Sequence, residues 1–282
     1  MIYGKLAGLY FSCILLQLFM AGSVSGQDKT PPSEQKPNRL RWPDGKQAAI
    51  SLSFDDARPS QIDLGIPLLD RYGVKATFYI SPDNLKKRSG DWKRAVEKGH
   101  EVGNHTMSHP CTGNYSFSRE KALETYTLET MATEIDEANR FIQRTLGQMP
   151  TTFAYPCGQT FVGRGKETKS YVPLVATHFE TGRLWLSEDS NDPDFCDRAQ
   201  LLAMEIDGKS FDQLLPAIQK AKGEGRWLIL AGHEMAGSGP QTTSLETLEA
   251  LCRYTRAAEN KLWIETVGNV ARYILDQRNQ SR

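Results

Sequence analysis

Short apolar runs alternate with longer stretches of helical period along most of the chain. Ala48–Phe54, Lys75–Ile80, Glu101–Gly103, Thr152–Tyr155, Val172–Ala176 and Trp227–Ala231 are short and rich in β-branched or aromatic residues, which predicts strands. Between them, Ser60–Tyr72, Asp91–Lys98, Ser118–Leu146 and Phe211–Lys222 carry apolar residues at helical spacing, several closed by Gly73, Gly99, Gly147 and Gly223. The stretch from Ser118 is long enough that one break is expected inside it. Strand–helix alternation predicts an α/β fold with helices covering parallel strands, in a barrel or an open sheet, and pattern alone does not choose between them.

The ends of the chain follow a different pattern. Residues 1–26 read as a signal peptide: Lys5 precedes an apolar run from Ala7 to Ala21, and small residues through Gly26 then offer cleavage sites. The run is short for a spanning helix, so contact with a membrane is expected only through an uncleaved leader. Residues 27–46 are polar and rich in Pro, Lys and Gln, which reads as a flexible linker. No comparable linker or repeat follows, so residues 47–282 form one expected catalytic domain. The leader predicts a secreted or periplasmic protein.

Composition narrows the partners. Lys plus Arg and Asp plus Glu each number 34, so no global field favours nucleic acid or anionic lipid. A neutral substrate fits that balance better than a polyanion. Beyond the leader the cysteines are Cys111, Cys157, Cys196 and Cys252. Their even number permits two disulfides in an exported chain, and the absence of a CxxC pair argues against a cysteine-based structural zinc site.

The candidate chemistry lies where polar residues follow strands. Asp55 and Asp56 come directly after the strand ending in Phe54, His105 and His109 follow Glu101–Gly103, and His233 follows a Trp-Leu-Ile-Leu-Ala-Gly run. In α/β folds the carboxyl ends of parallel strands gather the site, so the three groups are expected to converge. Histidines four apart on a helical turn would share one face, and a carboxylate would complete a two-histidine, one-carboxylate metal set with open positions. A bound metal makes hydroxide available at neutral pH. The second aspartate is then free to accept a proton, and His233 to deliver one. Singly, each signal has a plainer reading: the aspartates as a helix cap, the spaced histidines as a surface pair, His233 as a structural histidine. Their joint occurrence at three strand ends favours chemistry. His100 and His178 fall outside this pattern and read as structural.

Four motifs, SFDD (Ser53–Asp56), HTMSH (His105–His109), FAYPCG (Phe153–Gly158) and LILAGH (Leu228–His233), resemble in order and spacing those of polysaccharide deacetylases of the NodB-homology type. The resemblance spans about Gln47 to Ile274. It implies a distorted (β/α)7 barrel and removal of N-acetyl groups from an N-acetylated carbohydrate. It also implies a divalent metal, usually zinc, held by Asp56, His105 and His109, with Asp55 as general base and His233 as general acid. Tyr155, Pro156 and Cys157 would border the substrate, and the Cys157 N–H would hold the developing oxyanion. Two positions depart from the family: Ala154 replaces an arginine that often pairs with the base, and Cys157 replaces a bulky aromatic. The acidic partner of His233 is weakly marked, with Asp207 in MEIDG the best candidate. Cys111 and Cys157 would share the rim of such a site, where oxidation during export would join them. The alternatives are free thiols or pairing with Cys196 or Cys252. Trp185 is a candidate sugar-stacking residue with core packing as the alternative, while Trp227 and Trp263 read as core. Competing functions are hydrolysis of a non-sugar amide, or carbohydrate binding without turnover.

Overall fold

The run from Ala48 to Asp55 forms strand β1 in the computed structural model, which describes residues 40–280. Every residue of β1 is buried, because side chains from both of its faces meet cover. Ala48, Ile50, Leu52 and Phe54 join the main apolar cluster with Leu69, Trp92, Leu214 and Leu251 from the surrounding helices. The alternate residues Ala49, Ser51, Ser53 and Asp55 belong to the other face, where Ser51 accepts a hydrogen bond from the Trp227 indole at 3.0 Å. A period of two therefore carries Asp55 to the interior of the sheet's curl.

The strands follow in chain order: β2 (Thr77–Ile80), β3 (Glu101–Asn104), β4 (Thr152–Ala154), β5 (Phe161–Val162), β6 (Lys169–Ser170), β7 (Thr181–Arg183), β8 (Met204–Glu205), β9 (Trp227–Gly232), β10 (Glu234–Ala236), β11 (Thr242–Ser244) and β12 (Leu262–Ile264). The main sheet has the order β7-β4-β3-β2-β1-β9-β8, all parallel, and β12 pairs with the first half of β1. Its two ends nearly meet. Leu201, which leads into β8, donates to the Gly182 carbonyl and accepts from the Leu184 N–H, both at 2.8 Å. The result is a curled, barrel-like sheet of parallel strands closed by a few bonds at Leu201 instead of a full ladder. The helices cover its outside: α1 (Ile66–Arg71), α2 (Pro82–Lys87), α3 (Ser89–Glu97), α4 (Leu128–Leu146), α5 (Val172–His178), α6 (Phe211–Glu224), α7 (Leu245–Arg256) and α8 (Val267–Gln280). This is the α/β barrel class that the family resemblance implies.

Several local expectations are corrected. Val172–Ala176 is not a strand but part of α5, because Pro173 sits at the first turn, where its fixed φ suits a helix and its missing N–H is not needed. The stretch from Ser118 lies in short 3₁₀ turns through Thr125, and α4 starts only at Leu128, where the Thr127 side chain accepts from the Thr130 N–H at 3.2 Å. α6 runs through Gly223 and ends at Gly225, whose φ of 68° closes the helix. The expected flexible linker does not extend to residue 46. Trp42 is buried, packs with Trp263 and Tyr273, and donates its indole N–H to the Gly225 carbonyl at 3.0 Å. The leader lies outside the described residues. Among the described residues no helix is long and apolar enough to cross a membrane.

Candidate active site

Asp55 is the last residue of β1, and the chain turns sharply after it: Asp56 and Ala57 have φ of 74° and 54°. Such backbone is uncommon outside glycine and needs support from its surroundings. That support comes from the Asp56 N–H, bonded to the Tyr79 carbonyl at 2.9 Å, and from the Asn84 amide, which donates to the Asp56 carbonyl at 2.9 Å. The turn separates the two carboxylates, so Asp55 is buried and Asp56 faces a pocket.

His105 and His109 do not share a helical turn, contrary to expectation. They leave β3 on a loop in which Thr106 and His109 have φ of 63° and 55°. Asn104 accepts from the Thr106 N–H at 2.7 Å, and Glu134 on α4 accepts from the N–H groups of Met107 and Ser108 at 3.0 and 2.8 Å. These bonds do the work assigned to the helix and bring the imidazoles to a ring separation of 4.8 Å. His105 Nδ1 donates to the Ala154 carbonyl at 2.9 Å, which leaves the Nε2 lone pair free. His105 Nε2 and His109 Nε2 each lie 3.8 Å from Asp56 Oδ1. Burial, with His105 beside it, lowers His109 to about 4, so its ring is neutral at neutral pH, as a ligand must be. Burial alone would raise Asp56, but His105, His109, His233 and Arg58 outweigh it and hold the carboxyl at about 2. Arg58 binds Asp56 Oδ2 at 2.9 Å, leaving Oδ1 to the histidines. One carboxylate and two imidazole donors within 4.8 Å of one another suit a divalent ion.

Asp55 has a partner that the sequence did not reveal. Arg183, on β7, is fully buried and its guanidinium bonds Asp55 Oδ1. Ala154 and Arg183 are register partners on β4 and β7, so the arginine missing at position 154 is supplied from the adjacent strand. Its guanidinium lies over the Tyr79 ring at 4.9 Å. Room for that ring comes from Gly103, where an added Cβ would fall 2.5 Å from Tyr79. Burial would raise Asp55, yet Arg183, His105 and His233 together hold it below the ordinary carboxylate value. The missed signal was the lone arginine in TGRLW, on a strand too short to recognise.

His233 follows β9 and is held by Asp207, the candidate partner, which accepts from Nδ1 at 2.7 Å and from the backbone N–H at 3.2 Å. Thr243 donates to the same carboxylate at 2.8 Å. Burial would lower His233, but the Asp207 hydrogen bond and the charges of Asp55 and Asp207 raise it overall. Gln61, also unforeseen, donates to the carbonyls of Asp55 and His233 at 2.7 and 2.8 Å and so ties the two strand exits together. His100 bonds Asp70 and His178 pairs with Asp136, both away from this centre.

Of the third-motif residues, only Cys157 reaches the pocket. Tyr155 and Pro156 are buried, and the Tyr155 hydroxyl is bonded to the Ala199 carbonyl at 2.8 Å, so neither lines this pocket. Cys157, with φ of 53°, forms a disulfide with Cys111, while Cys196 and Cys252 are free. The pocket, about 490 Å³, is lined by Asp55, Asp56, His105, His109 and His233 among others. Trp185 lines it too and packs edge-on against His233 at 4.9 Å.

A buried carboxylate, a paired histidine and a possible three-donor metal set meet at parallel strand ends of an α/β fold, an arrangement suited to metal-assisted hydrolysis. The polysaccharide deacetylase family profile matches residues 41–170, a little under half of the chain. The chain is 32% identical over 112 residues to the peptidoglycan-N-acetylglucosamine deacetylase PgdA of Listeria monocytogenes, covering 39% of this chain and 21% of that protein. It is 28% identical over 143 residues to chitin deacetylase 1 of Cryptococcus neoformans var. grubii, covering 50% and 28%. The match thus spans well under a third of either relative's length. In fold, the chain is similar to a polysaccharide deacetylase structure from Mycobacterium smegmatis, with a TM-score of 0.58 at 14% identity over 85% of this chain and 94% of that one.

Proposed function

We propose that the protein is a divalent-metal-dependent hydrolase that removes N-acetyl groups from an exported or cell-wall sugar polymer or oligosaccharide. One observation carries the reading: Asp55, the Asp56–His105–His109 set and His233 leave three different strands and line a single pocket. The kinship with proteins named for deacetylating peptidoglycan N-acetylglucosamine and chitin supports the substrate class. Placement outside the cytoplasm rests on the leader read in residues 1–26.

Asp56, His105 and His109 would hold the ion, with zinc the best fit to two imidazoles and a carboxylate. When bound, the ion supplies Lewis acidity to water and to the amide carbonyl. Asp55, kept ionised by Arg183, accepts the proton of the attacking water. The Cys157 N–H donates to the carbonyl oxygen as negative charge builds there. His233, whose protonated form Asp207 favours, delivers a proton to the leaving nitrogen, so the sugar amine departs as a neutral group.

The test is acetate release from N-acetylglucosamine oligomers, abolished by a chelator and restored by zinc. Asp55→Asn is expected to retain the metal while losing turnover by about 10²–10⁴-fold, whereas Asp56→Ala loses the metal as well. Should Asp55→Asn lose zinc while Asp56→Ala keeps zinc and activity, the two roles are reversed.

A further inference from the structure

The stretch after His109 carries two aromatic rings that the reaction does not use. Tyr115 and Phe117 stack with centroids 5.5 Å apart and planes 7° from parallel, yet they are 46% and 63% exposed. Large apolar rings held in order against water forgo the burial that would ordinarily stabilise them. Both line the pocket of Asp55 and His233.

Their loop is fastened, not loose. The Ser118 hydroxyl accepts from the Cys111 N–H at 2.8 Å and donates to the Cys111 carbonyl at 2.9 Å, closing the neck. The Thr112 N–H donates to the Gln159 side chain at 2.7 Å, and the Cys111–Cys157 disulfide joins the neck to the loop bearing the oxyanion donor. A platform so anchored keeps its distance from the reacting groups. Pre-ordered aromatic surface of this kind binds a rigid ligand with a flat, C–H-bearing face at little further entropic cost. A pyranose ring has such a face, with its hydroxyls at the edge and so still in water.

We propose that Tyr115 and Phe117 form a stacking platform for a second sugar ring of the substrate chain, displaced from the ring that loses its acetyl group. The protein then selects oligomers over short sugars. The inference rests on the reaction given under Proposed function and adds where the rest of the chain lies.

The experiment compares kcat/KM for N-acetylglucosamine oligomers of two and of five sugars, using the full zinc-loaded protein. Wild type is expected to favour the five-sugar substrate. In Tyr115→Ala/Phe117→Ala the five-to-two ratio is expected to fall about tenfold, the size of one aromatic stacking contact. Tyr115→Leu/Phe117→Leu, which keeps apolar bulk without flat rings, is expected to lose the ratio too, and serves if the alanine variant does not fold. Phe117→Tyr is expected to retain it, as is Phe195→Ala, which removes an 89% exposed ring outside this pocket. An unchanged ratio in a folded variant with normal zinc content overturns the platform and leaves the reaction standing. So does a wild type that hydrolyses both oligomers equally. If wild type releases acetate from neither oligomer, the reaction itself is overturned and the platform falls with it.

Discussion

Arg183 and Ala154 show how one charge can serve a site from either of two strands. Their Cα atoms are register partners, one strand spacing apart, which is within the reach of an arginine side chain. Read from position 154 alone, the base lacks its cation, and Ala154→Arg would be expected to supply it. With Arg183 already filling the interior and Ala154 fully buried, that substitution instead overpacks the site, at a cost of about 1–3 kcal/mol that chemical denaturation would register. Arg183→Met is the informative variant. Arg183 favours ionised Asp55, so its loss raises the Asp55 pKa and moves the acidic limb of the pH–rate profile to higher pH. An acidic limb that stays in place in a folded Arg183→Met protein would show that Asp55 is not the group titrating there. On the proposed mechanism the opposite limb reports His233. Asp207 raises it, so Asp207→Asn lowers it, and activity at alkaline pH should fail earlier than in wild type. A profile shifted the other way would remove His233 from the role of acid.

Elements contribute less through regular structure than through how their ends are fastened. His105 and His109 sit on a loop whose positive-φ residues no helix would accommodate, and α4 holds it through Glu134. The loops at 111–118 and 156–158 are locked together by Cys111–Cys157, which closes 46 residues of chain. In the loop-entropy picture a closure of that length is worth about 4 kcal/mol, an upper figure if the unfolded chain keeps structure. Cys111→Ser/Cys157→Ser is therefore expected to lower unfolding stability by roughly 2–4 kcal/mol and to impair turnover more than zinc content, because the proposed ligand set includes neither sulfur. Denaturant unfolding and metal analysis of the same preparation check both halves. At this scale the strands β7 and β8 escaped recognition because three and two residues are too few to show a period, and α5 was misread because its β-branched residues suit a strand until Pro173 is weighed.

For the molecule as a whole, equal numbers of acidic and basic residues leave no net field to steer a charged polymer. With an uncharged acetylated glycan, kcat/KM is accordingly expected to change less than about twofold between low and physiological salt. A steep fall would point to an anionic substrate met by local charge. The segment at Trp42 is also part of the whole: its burial against Trp263 and Tyr273 fastens the entry of the chain to α8, and Trp42→Ala should cost about 3–5 kcal/mol of stability.

Strand–helix alternation and the placement of Asp55, Asp56, His105, His109 and His233 after strands are local properties, written in hydrophobic period and motif spacing, and they were legible without coordinates. So was Asp207, faintly, because it follows a short apolar run before a turn. Arg183, Gln61 and the aromatic pair at 115 and 117 were not. Arg183 lies 128 residues from Asp55 and Gln61 lies 172 from His233, the aromatic pair counts only through the pocket it lines, and partners at that range depend on strand order and register. The same holds for closure of the barrel through Leu201, where two bonds at the junction of non-adjacent segments decide what alternation alone leaves open between a barrel and an open sheet.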